Sequence, residues 1–365
     1  MDMNRRSLFA GASAIGLSVV LPATANAQSP LQLSVAVRSP WMANQVALTS
    51  SDVLFLGCPR YTPKEETPAL ARRDANGKLM PFPGNGWNEW KLGDDGRDAF
   101  VYLNSVHIFA DDTVWVVDQG APSPDVFPHE FSIPKPGTQK IVQLDALTGG
   151  ILTVLRFDED VLPSGAKMND LRFHGSKMYV TDSGLGAIIV HDFATGETTR
   201  RLSGLKPMMA KPMKMTLALQ LDSKEKPFNP PNSDMIEINQ DGEWLFWAAP
   251  TGPLYKIETR HLNDTKLRDD DIEKHVQHVA DIEFSSGCSM DSLGNFYFCE
   301  TKTGKITLLA PSGKTATLAF DPDFVRPDGA FISADRRLYV PRKPREPDAS
   351  RRHHSQSTPC SCPKA

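Results

Sequence analysis

Six polar residues stand immediately ahead of short apolar runs: Asn104, Asn169, Asp170, Asp234, Ser286 and Asp328. All offer oxygen, and three are carboxylates. A donor set made only of oxygen suits a hard cation such as Ca²⁺, which takes about six to eight ligands at roughly 2.3–2.6 Å. Asn104, Asn169, Asp234 and Asp328 are therefore candidate ligands for Ca²⁺ or another divalent metal, and Asp170 and Asp234 are candidate catalytic carboxylates. Ser286 is a candidate for the wall of a ligand channel. So is Trp87, in Gly86-Trp87-Asn88-Glu89-Trp90, whose indole could face an aromatic ligand. Each has a plainer alternative. Asp and Asn at strand starts also cap turns by bonding their own backbone, and a loop tryptophan also packs as core.

Other chemistries lack their residues. His107, His174 and His191 lie inside strand patterns without the His-x-x-x-His spacing of zinc sites, and read as packed or surface side chains. There is no Gly-x-Ser-x-Gly elbow for a hydrolase triad, and no phosphate loop or dinucleotide fingerprint. A net charge of −4 leaves no basic excess to neutralise phosphates, which excludes nucleic acid as a partner. A small molecule is the partner class left. Asp118 and Asp182, which follow strand-like runs, read as structural.

The elements that must position these residues recur. A polar turn leads into an aromatic or β-branched run at Val53-Leu54-Phe55-Leu56, Val114-Trp115-Val116-Val117, Lys177-Met178-Tyr179-Val180, Glu243-Trp244-Leu245-Phe246-Trp247, Asn295-Phe296-Tyr297-Phe298 and Arg337-Leu338-Tyr339-Val340. These copies are spaced roughly 40 to 65 residues apart, a period that marks a propeller or solenoid. The third copy resolves into four strands: Leu171-Arg172-Phe173, Met178-Tyr179-Val180, Ala187-Ile188-Ile189-Val190 and Thr198-Thr199-Arg200-Arg201. Four short strands bounded by Gly, Asp, Asn and Ser make one propeller blade. The expected fold is all-β, a six-bladed β-propeller of four-stranded antiparallel blades. Residues 59–91 and 122–138, rich in Pro and Gly, read as long loop insertions on one face. Residues 205–221 read as helix or loop, and residues 269–278 as a short helix.

The ends differ from the middle. Residues 1–27 carry Arg5-Arg6, an apolar run and Ala25-Asn26-Ala27, the pattern of a secretory signal peptide of twin-arginine type. The run is short for a membrane span, which needs roughly 20 residues. The expectation is export to the periplasm or exterior, with no stable membrane insertion after cleavage. Residues 28–341 form the propeller, and the Arg/Pro/Ser/His-rich residues 342–365 a disordered tail foreign to it. Of the five cysteines, Cys360 and Cys362 sit in that tail. Cys288 and Cys299, on neighbouring strands, read equally as one disulfide or as buried thiols.

Several stretches carry a resemblance. Leu103-Asn104-Ser105-Val106-His107, with Val114 to Gly120 after it, resembles the second blade of the yellow / major royal jelly protein family. Asn169-Asp170-Leu171-Arg172-Phe173, with Tyr179 to Gly184, is similar to its most recognisable stretch. Ser233-Asp234-Met235-Ile236-Glu237-Ile238, Ser286-Gly287-Cys288-Ser289-Met290-Asp291 and Arg326-Pro327-Asp328-Gly329 match later blades in order. Met235 departs from the family, which has Gly there, and the tail departs where another strand pair would close the ring. The resemblance implies a propeller related to gluconolactonase-like proteins, in which a divalent metal polarises a lactone carbonyl. It implies three activities: metal-assisted hydrolysis of a lactone or ester, non-enzymatic binding of small aromatic or amine ligands, and isomerisation of dopachrome-like compounds.

Overall fold

The computed structural model describes residues 14–20, 31, 33–60, 67–122, 132–215, 226–321 and 327–342. The chain opens with β1 (Ala14–Val20) and β2 (Ser34–Ser39), which belong to the last sheet. The first blade follows as β3 (Gln45–Leu48), β4 (Leu54–Gly57), β5 (Leu70–Arg73) and β6 (Leu79–Pro81). The second is β7 (Leu103–Ile108), β8 (Val114–Asp118), β9 (Lys140–Leu144) and β10 (Ile151–Leu155). The third is β11 (Met168–His174), β12 (Lys177–Asp182), β13 (Ala187–Asp192) and β14 (Thr198–Arg201).

A hairpin of β15 (Met213–Met215) and β16 (Lys226–Phe228) stands before the fourth blade. That blade is β17 (Met235–Ile238), β18 (Trp244–Ala248), β19 (Leu254–Glu258) and β20 (Gln277–Ala280). Helices α1 (Thr259–Asn263) and α2 (Asp269–Glu273) join its two outer strands. The fifth blade is β21 (Ser285–Met290), β22 (Phe296–Glu300), β23 (Lys305–Leu309) and β24 (Thr315–Phe320). The chain then adds β25 (Phe331–Ile332) and β26 (Arg337–Arg342).

Each of the five blades is an antiparallel meander of four consecutive strands. The expectation of six such blades is corrected here. After β24 the described chain has only β25 and β26 to offer, so the closing sheet borrows from the other end in the order β2-β1-β26-β25. β1 pairs with β2 on one side and β26 on the other. The apolar segment read as an export leader is thus also strand-forming sequence. The leader's residues 1–13 and 21–27 and the tail's residues 343–365 lie outside the described residues.

Strand formation follows from burial on both faces. A blade is sandwiched between two others, so Val114-Trp115-Val116-Val117 is buried throughout and reads as a continuous apolar run. The cores lie between blades. Trp115, Val117 and Ile141 of the second pack on Met168, Leu171 and Val180 of the third. Tyr179 and Ile188 of the third pack on Ile236 and Trp247 of the fourth. Each such side chain contributes about 1.5–3 kcal/mol when fully buried. The inner strands β3, β7, β11, β17, β21 and β25 pack one on the next in a ring around the axis.

Loop expectations were met unevenly. Residues 59–91, read as an insertion, contain β5 and β6 together with a 3-10 turn at Gly86–Asn88. Residues 205–221 contain a 3-10 turn at Lys206–Met208 and β15, and residues 269–278 contain α2. Among the described residues no helix is long and apolar enough to cross a membrane. Cys58, Cys288 and Cys299 are buried free thiols.

Candidate functional site

The heads of three inner strands are bulged. The ladder register slips between Leu103 and Ser105, between Met168 and Leu171, and between Ser285 and Gly287. The extra residues are Asn104, Asn169 with Asp170, and Ser286. A bulge interrupts the alternation of faces and re-aims a side chain, and it does so here at four of the residues singled out from sequence. Asp234 heads the fourth inner strand, its N–H donating to the Ala248 carbonyl at 3.0 Å. Asp328 precedes β25, where Gly329 bridges to Gln45 of the first blade.

These residues form a connected set. Asn104 Nδ2 donates to Asn169 Oδ1 at 2.8 Å and to the Asn169 carbonyl at 3.2 Å. Asn169 also lies beside the Asp234 carboxyl, whose proton affinity it lowers. Ser286 Oγ pairs with Thr301 Oγ1 at 2.8 Å and donates to the Pro327 carbonyl, tying the fifth blade to the segment that carries Asp328.

The acids diverge in charge state. Burial pushes the Asp234 carboxyl well above its ordinary value, and the neighbouring charges of Asp328 and Asp170 push it further. Burial acts on Asp170 in the same direction, but His107 and Arg172 outweigh it and bring the group down to about 2. Asp170 is thus a fixed negative charge. Its proposed catalytic part cannot be proton donation near neutral pH. Asp234, held in a site of excess negative charge, is the group able to carry a proton.

Beneath this set lies a layer of ion pairs. Arg172 donates from Nε and Nη2 to the Glu237 carboxylate at 3.0 and 2.8 Å, and from Nη1 to Asp170 Oδ2 at 3.2 Å and the Leu171 carbonyl at 2.7 Å. His107 Nε2 meets Asp170 Oδ1, with the Gln45 amide nitrogen 2.9 Å and Arg172 Nη1 3.2 Å away. Gln45 Oε1 accepts from the Val106 N–H at 3.2 Å. Four consecutive blades are joined across the axis by these side chains. Sequence reasoning left Gln45, Arg172 and Glu237 aside and read His107 as packing. The available signal was spacing: His107, Arg172 and Glu237 each follow Asn104, Asn169 or Asp234 by three residues.

Trp87 does not join the set. It packs on Phe100 with ring centroids 5.4 Å apart, against the core between the first and second blades, because its 3-10 turn follows an outer strand. Asp118 and Asp182 are structural, as read. Asp118 accepts from the Val101, Tyr102 and Gly120 N–H groups and pairs with the fully buried Lys140 at 2.9 Å. Asp182 accepts from Lys167 and Gly184 and pairs with Arg200 at 2.6 Å. Thiolate chemistry is disfavoured, since burial raises the Cys288 thiol well above its ordinary range and pushes Cys58 up to about 12.

Among the described residues, no group of three or more His, Cys, Asp or Glu is arranged to hold a metal ion. Asp170 is already committed to cations of its own. The carboxylates nearest one another that could serve an external cation are Asp234 and Asp328, beside the amides of Asn169 and Asn104. This oxygen set fits a hard ion rather than zinc. Burial and the neighbouring carboxylate charges raise Asp234, and a bound cation would oppose that shift.

No family model and no curated protein matches the chain. Solved structures do. A gluconolactonase from Xanthomonas campestris aligns with a TM-score of 0.50 at 13% identity, over 83% of this chain and 86% of that one. A nidogen/laminin complex aligns at 0.52 and 10% identity, over 87% and 97%. The calcium-binding protein regucalcin from Agrobacterium tumefaciens aligns at 0.47 and 12% identity, over 80% and 79%, too loosely to add to the argument. What these proteins share with the chain is the propeller fold.

Proposed function

We propose that the protein is a small-molecule hydrolase acting on a lactone or similar ester at the head of its inner strands, with a divalent cation such as Ca²⁺ held by Asp234, Asp328, Asn169 and Asn104. The observation that carries this reading is the contrast between Asp170, held ionised, and Asp234, driven toward its protonated form. Carboxyls whose environments push their affinities for protons apart are suited to divide acid–base work. In the ion-free site Asp234, raised by burial and by the Asp328 and Asp170 charges, holds the proton that a bound cation would displace, while Asp170 stays ionised. A divalent ion, when bound, supplies Lewis-acid polarisation of a carbonyl. Asn169, bonded to Asn104 and lying beside Asp234, helps to place the carboxylate, and Ser286 holds the Asp328 segment against the fifth blade.

The reaction class is taken from the gluconolactonase that shares the fold, and the carboxyl contrast is what supports it in this chain. Membership of the yellow / major royal jelly protein family and export through the leader belong to the same proposal and rest on sequence. Trp87, packed on Phe100, adds no support to the alternative of a binder of small aromatic or amine ligands.

The test is thermal unfolding of the full chain in chelator and then in Ca²⁺, followed by a lactone hydrolysis assay. An upward shift with Ca²⁺ that Asp234→Ala abolishes, together with metal-dependent turnover, supports the reading. Absence of both refutes it.

A further inference from the structure

No backbone ladder is described between β7, β11 and β17, whose sheets are separate. The distance between Asn104, Asn169 and Asp234 is therefore set by side chains. Directly along each strand, three residues on, stand His107, Arg172 and Glu237. Together with Asp170, they carry the ion pairs that reach from one of the three strands to the next.

We propose that Arg172 is the positioning residue of the site: its guanidinium, gripped by Glu237 on one edge and joined to Asp170 and His107 on the other, fixes the spacing of the strands that present Asn104, Asn169 and Asp234. This rests on the cation reading above. All three guanidinium nitrogens are engaged, with the Glu237 carboxylate held on two of them at 3.0 and 2.8 Å. Lysine has one ammonium and no planar fork, so it cannot hold both edges at once. His107 and Asp170 link β7 to β11, and Arg172 and Glu237 link β11 to β17.

Spacing matters because it chooses the ion. Mg²⁺ demands near-octahedral oxygen at about 2.0–2.1 Å, whereas Ca²⁺ accepts more ligands at about 2.3–2.6 Å. A layer that holds the three strands at one separation makes the site selective as well as strong. Loss of the layer lets the donors shift, and discrimination falls with affinity.

Calorimetric titration of the full chain with Ca²⁺ and with Mg²⁺ tests this. The variants are Arg172→Lys and the pair Arg172→Met/Glu237→Leu, which removes both charges together, and each is checked for cooperative unfolding. The wild type is expected to prefer Ca²⁺. The folded variants are expected to lose Ca²⁺ affinity by about 10- to 100-fold, as for other groups that orient ligands from behind, with a narrowed Ca²⁺/Mg²⁺ ratio. A folded variant with wild-type affinity and ratio overturns the proposal. If the paired variant does not fold, Arg172→Lys decides. If the wild type binds neither ion, the cation reading falls instead, and the layer is judged by a double-mutant cycle of Arg172→Lys with Asp234→Asn in thermal unfolding. Non-additive effects uphold the coupling between layer and carboxyl, and additive effects refute it.

Discussion

Gly287 and Asp328 touch through backbone alone. A Cβ on Gly287 would stand 2.6 Å from both the carbonyl carbon and the oxygen of Asp328. The atoms it would meet are backbone and cannot swing aside, so Gly287 is what lets the Asp328 segment lie against the fifth inner strand. Gly287→Ala is therefore expected to displace that segment, at an overpacking cost of about 1–3 kcal/mol. Urea unfolding reads the cost, and Ca²⁺ titration reads the loss of Asp328 from the site. An alanine variant with unchanged stability and unchanged ion binding contradicts the arrangement.

Asp234 makes stability fall as pH rises. Its folded proton affinity lies above that of the unfolded chain, whose ordinary value is 3.8. Its contribution is thus complete below 3.8 and is lost as pH climbs through the folded value. In chelator, Asp234→Asn removes this dependence and is more stable than the wild type at pH 7. The same variant gains nothing from Ca²⁺. Unfolding free energies measured from pH 4 to 8 check both statements, and a variant with the wild-type slope would sink them.

Asp170 acts in the opposite direction. Its folded value of about 2 lies below the ordinary 3.8, so its contribution is present above 3.8 and disappears as pH falls through about 2. Thermal unfolding of the wild type between pH 5 and 2 should show this acid loss. Asp170→Asn should start from a lower stability at pH 5 and show a shallower decline.

Removing one side of the buried pair costs more than removing both. Glu237→Ala leaves the Arg172 guanidinium buried with one carboxylate fewer, a change worth about 3–5 kcal/mol. Arg172→Met/Glu237→Leu, with no unpaired charge on either side, is expected to cost less than the single change. Chemical denaturation of the three proteins ranks them directly, and the reverse order would refute a paired interaction.

The closing sheet gives a prediction about the leader. A chain beginning at Gln28 lacks β1, and with it the ladders from Ala14–Val20 to β2 and to β26. It is expected to unfold at a lower temperature than the full chain. Equal unfolding temperatures would mean that β2 and β26 close the ring without it.

Strand content was legible because it is local. Runs such as Val114-Trp115-Val116-Val117 and Phe296-Tyr297-Phe298, bounded by turn residues, announce strands wherever they lie, and their period announces blades. The polar residues at strand heads were legible for the same reason. Which acid holds a proton was not. Asp170 and Asp234 are the same residue type in similar positions. Their difference comes from His107, 63 residues before Asp170, which with Arg172 holds Asp170 down, and from burial and the distant Asp328 charge, which push Asp234 up. No local pattern encodes a partner at that distance. The closing sheet is a second case. An apolar run behind paired arginines satisfies the pattern of a leader and of a strand alike, and its pairing with β26, at the far end of the chain, is a contact that no local pattern shows. Trp87 is the third, since its place was decided by Phe100 and the core between two blades rather than by the turn that carries it. Local chemistry determined the elements and the donors, whereas contacts between distant blades determined their charges and their neighbours.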